Sequence, residues 1–386
     1  MSLRSKARLD DLLLKDFDGR STARFKEYML RVMKYIRHAS IERRLEARFY
    51  EAKKKIRVER KLSDRNLFDI RAYILAHNVD YKSPAGIPVK TKLVMNSAIY
   101  HKGNGRMGIF LRLASMGTFM LGCRLSRTFI AHTELDYEEL KGEVKVKAEP
   151  VLYPMNSSEC IEDPRVDPDD PRQLYHVRGY YMFNKVYGMD TAVLMFRAGL
   201  DENLKPVELE PVHLVDGDET VIIRDSRDTF PLSREAMVMR PWLTSIGVGA
   251  VFVGPREGAT VDFEKLEPVP ELLPMHDETK TGGNASVKIG SNEYLVIFHA
   301  VEIYGMYPHY AAVFSKEGEL LGVTPEPIIP PLPEVYHGAR PETIFVCGAT
   351  LYKDQLVVSA GKDDEILLIM EAPLQRILDS IKWIRG

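Results

Sequence analysis

Glu162-Asp163-Pro164-Arg165 is the stretch on which the reading of this chain turns. Proline restrains the residue before it to extended geometry, so Asp163 and Arg165 are expected to project on one side of the chain. Three later blocks also set a charged or polar group at the edge of a short β-type segment. They are RDTFPLSREAMVMRP from Arg227, EYLVIFHAVE from Glu293 and VSAGKDDEI from Val358. An all-β scaffold brings distant side chains into one pocket in this way.

Working outward, the chain after about residue 68 consists of short apolar segments separated by turn residues, among them GIFLRLAS, TAVLMF, GVGAVFVG, YAAVFS, TIFVCGATL, QLVVSAG and EILLIME. Their length and their Val, Ile, Tyr and Phe content are those of strands. Many strands without intervening helices point to a sandwich, a barrel or a propeller of roughly 60-residue blades. Val323–Glu334 holds five prolines and reads as an extended connection, not a central strand. The end of the chain spaces Leu374, Ile377, Leu378, Ile381 and Ile384 as a helical stripe, a closing helix.

The N-terminus differs. Residues 1–61 hold 19 Lys and Arg against 9 Asp and Glu, while the rest of the chain carries an acidic excess. Residues 21–61 read as helix: Phe25, Met29, Val32 and Ile36 share one face, and Ile41, Leu45 and Phe49 another. Asp18-Gly19 marks a turn and Ser21 can cap the start. Such a basic arm docks on its own acidic body or on a partner subunit, the latter implying a homo-oligomer. A nucleic-acid-binding role is the weaker alternative, since no aromatic–basic pattern accompanies the charge. Three scattered cysteines, Cys123, Cys160 and Cys347, fit a reducing compartment better than a disulfide framework. No apolar run suits a signal peptide or a membrane span. The expectation is a cytoplasmic protein without a membrane partner.

Few nucleotide, metal or protease motifs survive inspection. Gly103–Gly108 matches GxGxxG, but strand-like residues follow it where a Rossmann loop needs a helix, so it reads as a hairpin turn. No Walker loop, HExxH, GxSxG or Cys/His cluster is present. Taken alone, the Asp163 block could equally be a surface turn, and each arginine a blade-edge salt bridge. A lone His299 after an apolar run is more often a core residue than a ligand. Tyr187, Trp242, Tyr304 and Tyr307 are candidates for stacking on sugar rings.

In order and content these blocks, from about Asn96 to Met370, resemble glycoside hydrolase family 130, the mannoside phosphorylases and related mannosidases. The resemblance implies an all-β five-bladed β-propeller over residues 69–386, preceded by a basic helical extension (1–68) and closed by a short C-terminal helix. It implies that Asp163 is the general acid, reaching the glycosidic oxygen through a hydroxyl of the bound mannosyl unit. Arg227 and Arg240 match the family's phosphate-binding block and Arg112 the arginine of its first-blade strand. Asn96 matches the first-blade asparagine, His299 the histidine of a "YHG" block, and Asp363 (or its neighbour Asp364) the sugar-binding acid of the last blade. Met239 stands where phosphorylases commonly carry histidine, which removes a donor.

A general acid must carry its proton near neutral pH, and a guanidinium favours the carboxylate. Arg165 is therefore expected to grip sugar or phosphate oxygens, or Glu162, and to leave Asp163 alone. Inverting hydrolysis needs a second carboxylate as base. Phosphorolysis needs instead a cluster of cations to hold phosphate. The expected activity is inverting phosphorolysis of β-mannosides or related short oligosaccharides. Inorganic phosphate is the co-substrate, and no metal or other cofactor is called for. The alternatives are hydrolysis and a glycan-binding propeller without activity.

Overall fold

The computed structural model describes residues 12–17, 22–36, 39–120, 123–155, 159–184, 188–331 and 340–384. The expected Asp18-Gly19 turn, the Ser21 cap and Tyr187 lie outside them. The described strands form five sheets, the blades of a five-bladed β-propeller. In chain order the inner strands are Leu93–Gly103, Glu159–Asp167, Arg227–Pro231, Glu278–Lys288 and Ile344–Tyr352. Each lies against the inner strand of the next blade, and the fifth returns to the first.

Blade packing explains the near-continuous apolar strands. In Glu293–Glu302, second strand of blade four, Leu295 and Ile297 pack towards blade five with Val346, Val358 and Met370. Tyr294, Val296 and Phe298 pack towards blade three with Phe230, Val238 and Val253. Both faces of such a strand are covered, so both must be apolar. Blade five is completed from the other end of the chain: Asp69–Ile74 pairs antiparallel with Ile366–Pro373. That pairing ties the ring shut.

One irregularity recurs in every blade. Each inner strand carries one residue more than its partner at mid-length. The register slips between Met95 and Ala98, Glu162 and Arg165, Arg227 and Phe230, Gly283 and Ala285, and Val346 and Gly348. These are β-bulges, which bend a strand and re-aim side chains. They place Asn96, Asp163, Asp228, Asn284 and Cys347 at equivalent points around the channel. Asn96, Asp163 and Asp228 adopt left-handed backbone, with φ of 38°, 48° and 53°, a region where Asn and Asp are the commonest non-glycine residues. The extended geometry expected of Asp163 ahead of Pro164 is thus corrected. The bulge overrides the proline's local preference, and Asp163 and Arg165 part company.

The basic extension is a strap on the propeller. Leu14–Lys15 adds an edge strand to blade two. Helix α1 (Thr22–Val32) buries Phe25, Tyr28, Met29 and Val32 against Leu194, Phe196 and Leu209 of that blade. Helix α2 (Ala39–Lys53) sets Ile41, Leu45, Phe49 and Ala52 across blades two and three. Arg44 reaches Asp216 and Glu264, each at 2.5 Å, and Arg57 pairs with Glu271. The basic arm therefore lies on its own acidic body, and the buried apolar residues of both helices pack against the same chain.

Helix was expected through residue 61, but α2 ends at Lys53. Beyond it the chain runs extended so that Val58 can enter the core and Arg60 can meet Glu278 and the Glu271 carbonyl. At the other terminus the helical stripe stops early. Helix α3 covers only Leu374–Leu378, and Lys382–Trp383 pairs with Leu320–Val323 at the outer edge of blade four. An unpaired sheet edge outcompetes the local helical preference. Asn104-Gly105 joins two antiparallel strands, the hairpin expected of the glycine-rich stretch. Among the described residues no helix is long and apolar enough to cross a membrane.

Candidate active site

The bulges gather the site. Asp163 is 6 % exposed. Its Oδ1 accepts from Asn96 Nδ2 at 3.1 Å and Arg112 Nη1 at 2.5 Å. Asn96 is held close by Gly361, where a Cβ would lie 2.0 Å from the amide oxygen. Arg112 spans two carboxylates, its Nη2 standing 3.1 Å from Glu162 Oε1. Glu162 Oε2 accepts from Arg227 Nη1 at 3.4 Å. Burial works to raise the Glu162 carboxyl, but Arg112 and then Arg227 outweigh it and hold it below the usual carboxylate range. Arg227, its side chain 44 % exposed, is the more open to solvent of the two arginines on Glu162. Asn96, Arg112, Glu162, Asp163 and Arg227, five of the residues singled out from sequence, thus form one cluster.

Arg165 does not join it. It is 1 % exposed and lies in the channel beneath the mouth. It donates to the Asp163 carbonyl (3.2 Å), the Asn284 carbonyl (3.0 Å) and Asp228 Oδ1 (2.7 Å). The expectation that it grips substrate or Glu162 is corrected: all three of its nitrogens are engaged by the protein. It does leave the Asp163 carboxylate alone, but Arg112 takes the place it was expected to avoid.

Asp228, which sequence reasoning passed over, is the opposite pole of the site. It is 3 % exposed, and its Oδ2 accepts from Arg240 Nε (3.0 Å) and Nη2 (2.8 Å). Burial would raise its carboxyl. Arg240 and then Arg165, aided by Lys280, instead hold it well below the usual range. Arg240 is the cross-strand partner of Arg227, so the two phosphate candidates are neighbours.

Lys280 was also missed. Its strand pairs with Val248–Gly249, which runs beside Arg240. Its Nζ lies 5.3 Å from the centre of the Tyr307 ring, whose hydroxyl accepts from Arg340 Nη1 at 3.2 Å. Burial, then the repulsion of Arg240, lowers the Lys280 ammonium to about 8, with Asp228 opposing. No local sequence signal marks it; only the blade contact brings it to Arg240.

Three further residues lie deeper than the resemblance implied. Asp363 is fully buried, its Oδ1 capping the Thr343 amide at 3.2 Å. Asp364 is the partly exposed member and faces Arg340 at 3.4 Å, so the mouth receives Asp364. His299 is fully buried too, with Nδ1 2.9 Å from Asn284 Oδ1 and its ring against Tyr307 and Phe345. Burial pushes its imidazole well below the ordinary range, so the ring is a neutral support under the mouth, its Nε2 without a partner among the described residues. Met239 packs in the core between blades two and three, so the missing histidine leaves no gap among the cations. Of the aromatic candidates, Tyr307 is buried beside these cations, and Tyr304 is 83 % exposed.

The family model described as β-1,4-mannooligosaccharide phosphorylase matches residues 58–383. The chain belongs to glycoside hydrolase family 130. It is accordingly a glycoside phosphorylase or hydrolase directed at mannosides. Among solved structures, β-1,2-mannobiose phosphorylase from Listeria innocua, in complex with β-1,2-mannobiose, is 17% identical, covers 75% of this chain and 92% of its own, and superposes with a TM-score of 0.55. A glycosyl hydrolase from Bacteroides ovatus is 15% identical, with coverage of 85% and 97% and a TM-score of 0.48. A mannose phosphorylase from Leishmania mexicana in complex with phosphate is 12% identical, with coverage of 90% and 98% and a TM-score of 0.47. Among curated protein sequences none matches this chain significantly. At these identities the likeness is one of fold. The basic strap up to Arg57 precedes the matched region.

Proposed function

We propose that the protein catalyses inverting phosphorolysis of a β-mannoside, with Asp163 as general acid and inorganic phosphate as nucleophile. The observation that carries this reading is the charge balance around the acid. Arg112, Arg165, Arg227, Arg240, Lys280 and Arg340 face the carboxylates of Glu162, Asp163, Asp228 and Asp364. Cations outnumber carboxylates by two when Asp163 is ionised and by three when it carries the proton it donates, at least the surplus that a phosphate balances near neutral pH. A nest with that surplus is completed by an oxyanion, which phosphorolysis supplies and hydrolysis does not.

The chemistry then divides between the two poles. Phosphate seats against Arg227, Arg240, Lys280 and Arg340, where forked guanidinium groups can hold its oxygens in line with the anomeric carbon. The mannosyl unit lies above Asn96, Arg112 and Asp163. A sugar hydroxyl taking the Asp163 oxygen now held by Arg112 relays the proton to the glycosidic oxygen as the C–O bond breaks. Attack by phosphate on the opposite face inverts the centre, giving α-mannose 1-phosphate and a free acceptor sugar. The test is turnover of β-1,2- and β-1,4-linked mannobiose with and without phosphate. Phosphate-dependent release of mannose 1-phosphate is expected, and equal release of free mannose in both conditions contradicts the proposal.

A further inference from the structure

Resting on that reading, we propose that Asp228 is a positioning residue which joins the acid to the anion nest, so that phosphate binding and placement of Asp163 depend on one another. The relay is continuous. The Asp163 carbonyl accepts from Arg165 Nη1, Arg165 Nη2 donates to Asp228 Oδ1, and Asp228 Oδ2 accepts from Arg240 Nε and Nη2. Arg165 thereby braces the left-handed turn that aims the Asp163 side chain. Arg240 is fixed in the plane from which its remaining edge can meet an anion.

Several features show that this arrangement is built with little room to spare. Asp228 itself sits on a bulge with φ of 53°. A Cβ on the neighbouring Gly282 would stand 2.7 Å from Asp228 Oδ2, so only glycine admits the carboxylate there. A buried ion network of this kind is weak evidence for stability, because apolar side chains can replace such networks without loss. Its ordered geometry is what an apolar replacement could not reproduce. Two guanidinium groups share one carboxylate, and Lys280 adds a third positive charge at its side. Phosphate arriving on Arg240 draws on the same guanidinium that Asp228 restrains, and the pull passes through Asp228 to Arg165. Arg227 is outside the relay: its contact is Glu162.

The experiment is calorimetric titration with inorganic phosphate, together with kcat and KM for phosphate, on the wild type, Asp228→Asn and Arg227→Ala. Asp228→Asn keeps the shape and removes the charge. The relay predicts a loss of phosphate affinity on the order of thirtyfold together with a comparable fall in kcat, whereas Arg227→Ala, which also seats phosphate but lies outside the relay, raises KM by more than it lowers kcat. If Asp228 only tempered the positive field, its loss would tighten phosphate binding, and that result overturns the proposal. Unchanged affinity and kcat overturn it equally. Should Asp228→Asn not fold, Arg165→Lys, at a position that touches no phosphate, keeps the ion pair with Asp228 and loses the fork that also holds the Asp163 carbonyl. A raised KM at an unaltered melting temperature then supports the relay, and an unaltered KM sinks it. Phosphate-dependent turnover in the wild type with no effect of these variants defeats the relay alone. Phosphate binding without turnover on any mannoside defeats the functional reading, and calorimetry still decides the relay. A wild type that binds no phosphate defeats both.

Discussion

Asp163 and Asp228 occupy the same place in successive blades. Each sits on the bulge of an inner strand, with φ of 48° and 53° and almost no exposure. Their neighbours separate them. Asp228 has an arginine on each oxygen and is locked as a carboxylate. Asp163 shares one oxygen between Asn96 and Arg112, and its other oxygen has no arginine on it among the described residues. The bulge supplies a site, and the charges around it assign the role, as when two carboxylates in one enzyme are pushed to different tasks. On the proposed reading one aspartate is the anchor and the other is the reagent.

The largest test of this contrast is Asp163→Asn. It should lower kcat on an unactivated mannobiose on the order of a thousandfold, the scale of general acid catalysis, while the melting temperature changes little. A variant with near wild-type kcat would break the contrast at its catalytic end. Asp228→Asn should show the reverse emphasis in stability. Two buried guanidinium groups lose their counter-charge, and denaturant titration should find a cost of about 3–5 kcal/mol. A smaller loss than that of Asp163→Asn would mean that the anchor is misassigned.

Smaller effects refine the picture. Arg227→Ala should raise the KM for phosphate by roughly tenfold and move unfolding by no more than about 0.5 kcal/mol, as for an open surface position. Lys280 gives the pH dependence. Its folded ammonium titrates near 8, against an ordinary 10.5, so the unfolded chain holds more protons between those values. This group's contribution to stability therefore rises with pH across that window. Phosphate affinity should fall over the same range as the charge is lost. Lys280→Met should remove the alkaline limb of both curves, which measurement at pH 7 and pH 9 can check.

Much of this was written in the sequence, for identifiable reasons. The blades were legible because strands buried on both faces are apolar throughout, as Glu293–Glu302 illustrates. Asn96, Arg112, Asp163 and Arg227 were legible through the order of their blocks. Asp228 and Asn284 carried the same signal as Asn96 and Asp163, an Asn or Asp inside an inner strand recurring about every 60 residues. It went unread because bulges leave no periodicity of their own. Arg165 and Arg227 are chemically identical. Only the ring of inner strands determines that one plugs the channel while the other faces solvent. Asp363 and Asp364 differ by a single step along a tight turn, a resolution that pattern alone does not reach. Lys280 depends on a contact between blades three and four that no local spacing encodes.

The central claim is that the cation nest facing Asp163 holds the attacking phosphate. Phosphorus-31 and proton NMR of β-mannobiose incubated with enzyme and phosphate tests it most directly. The account predicts a growing α-mannose 1-phosphate signal that vanishes without phosphate and in Asp163→Asn. Free mannose forming at the same rate whether or not phosphate is present would contradict it.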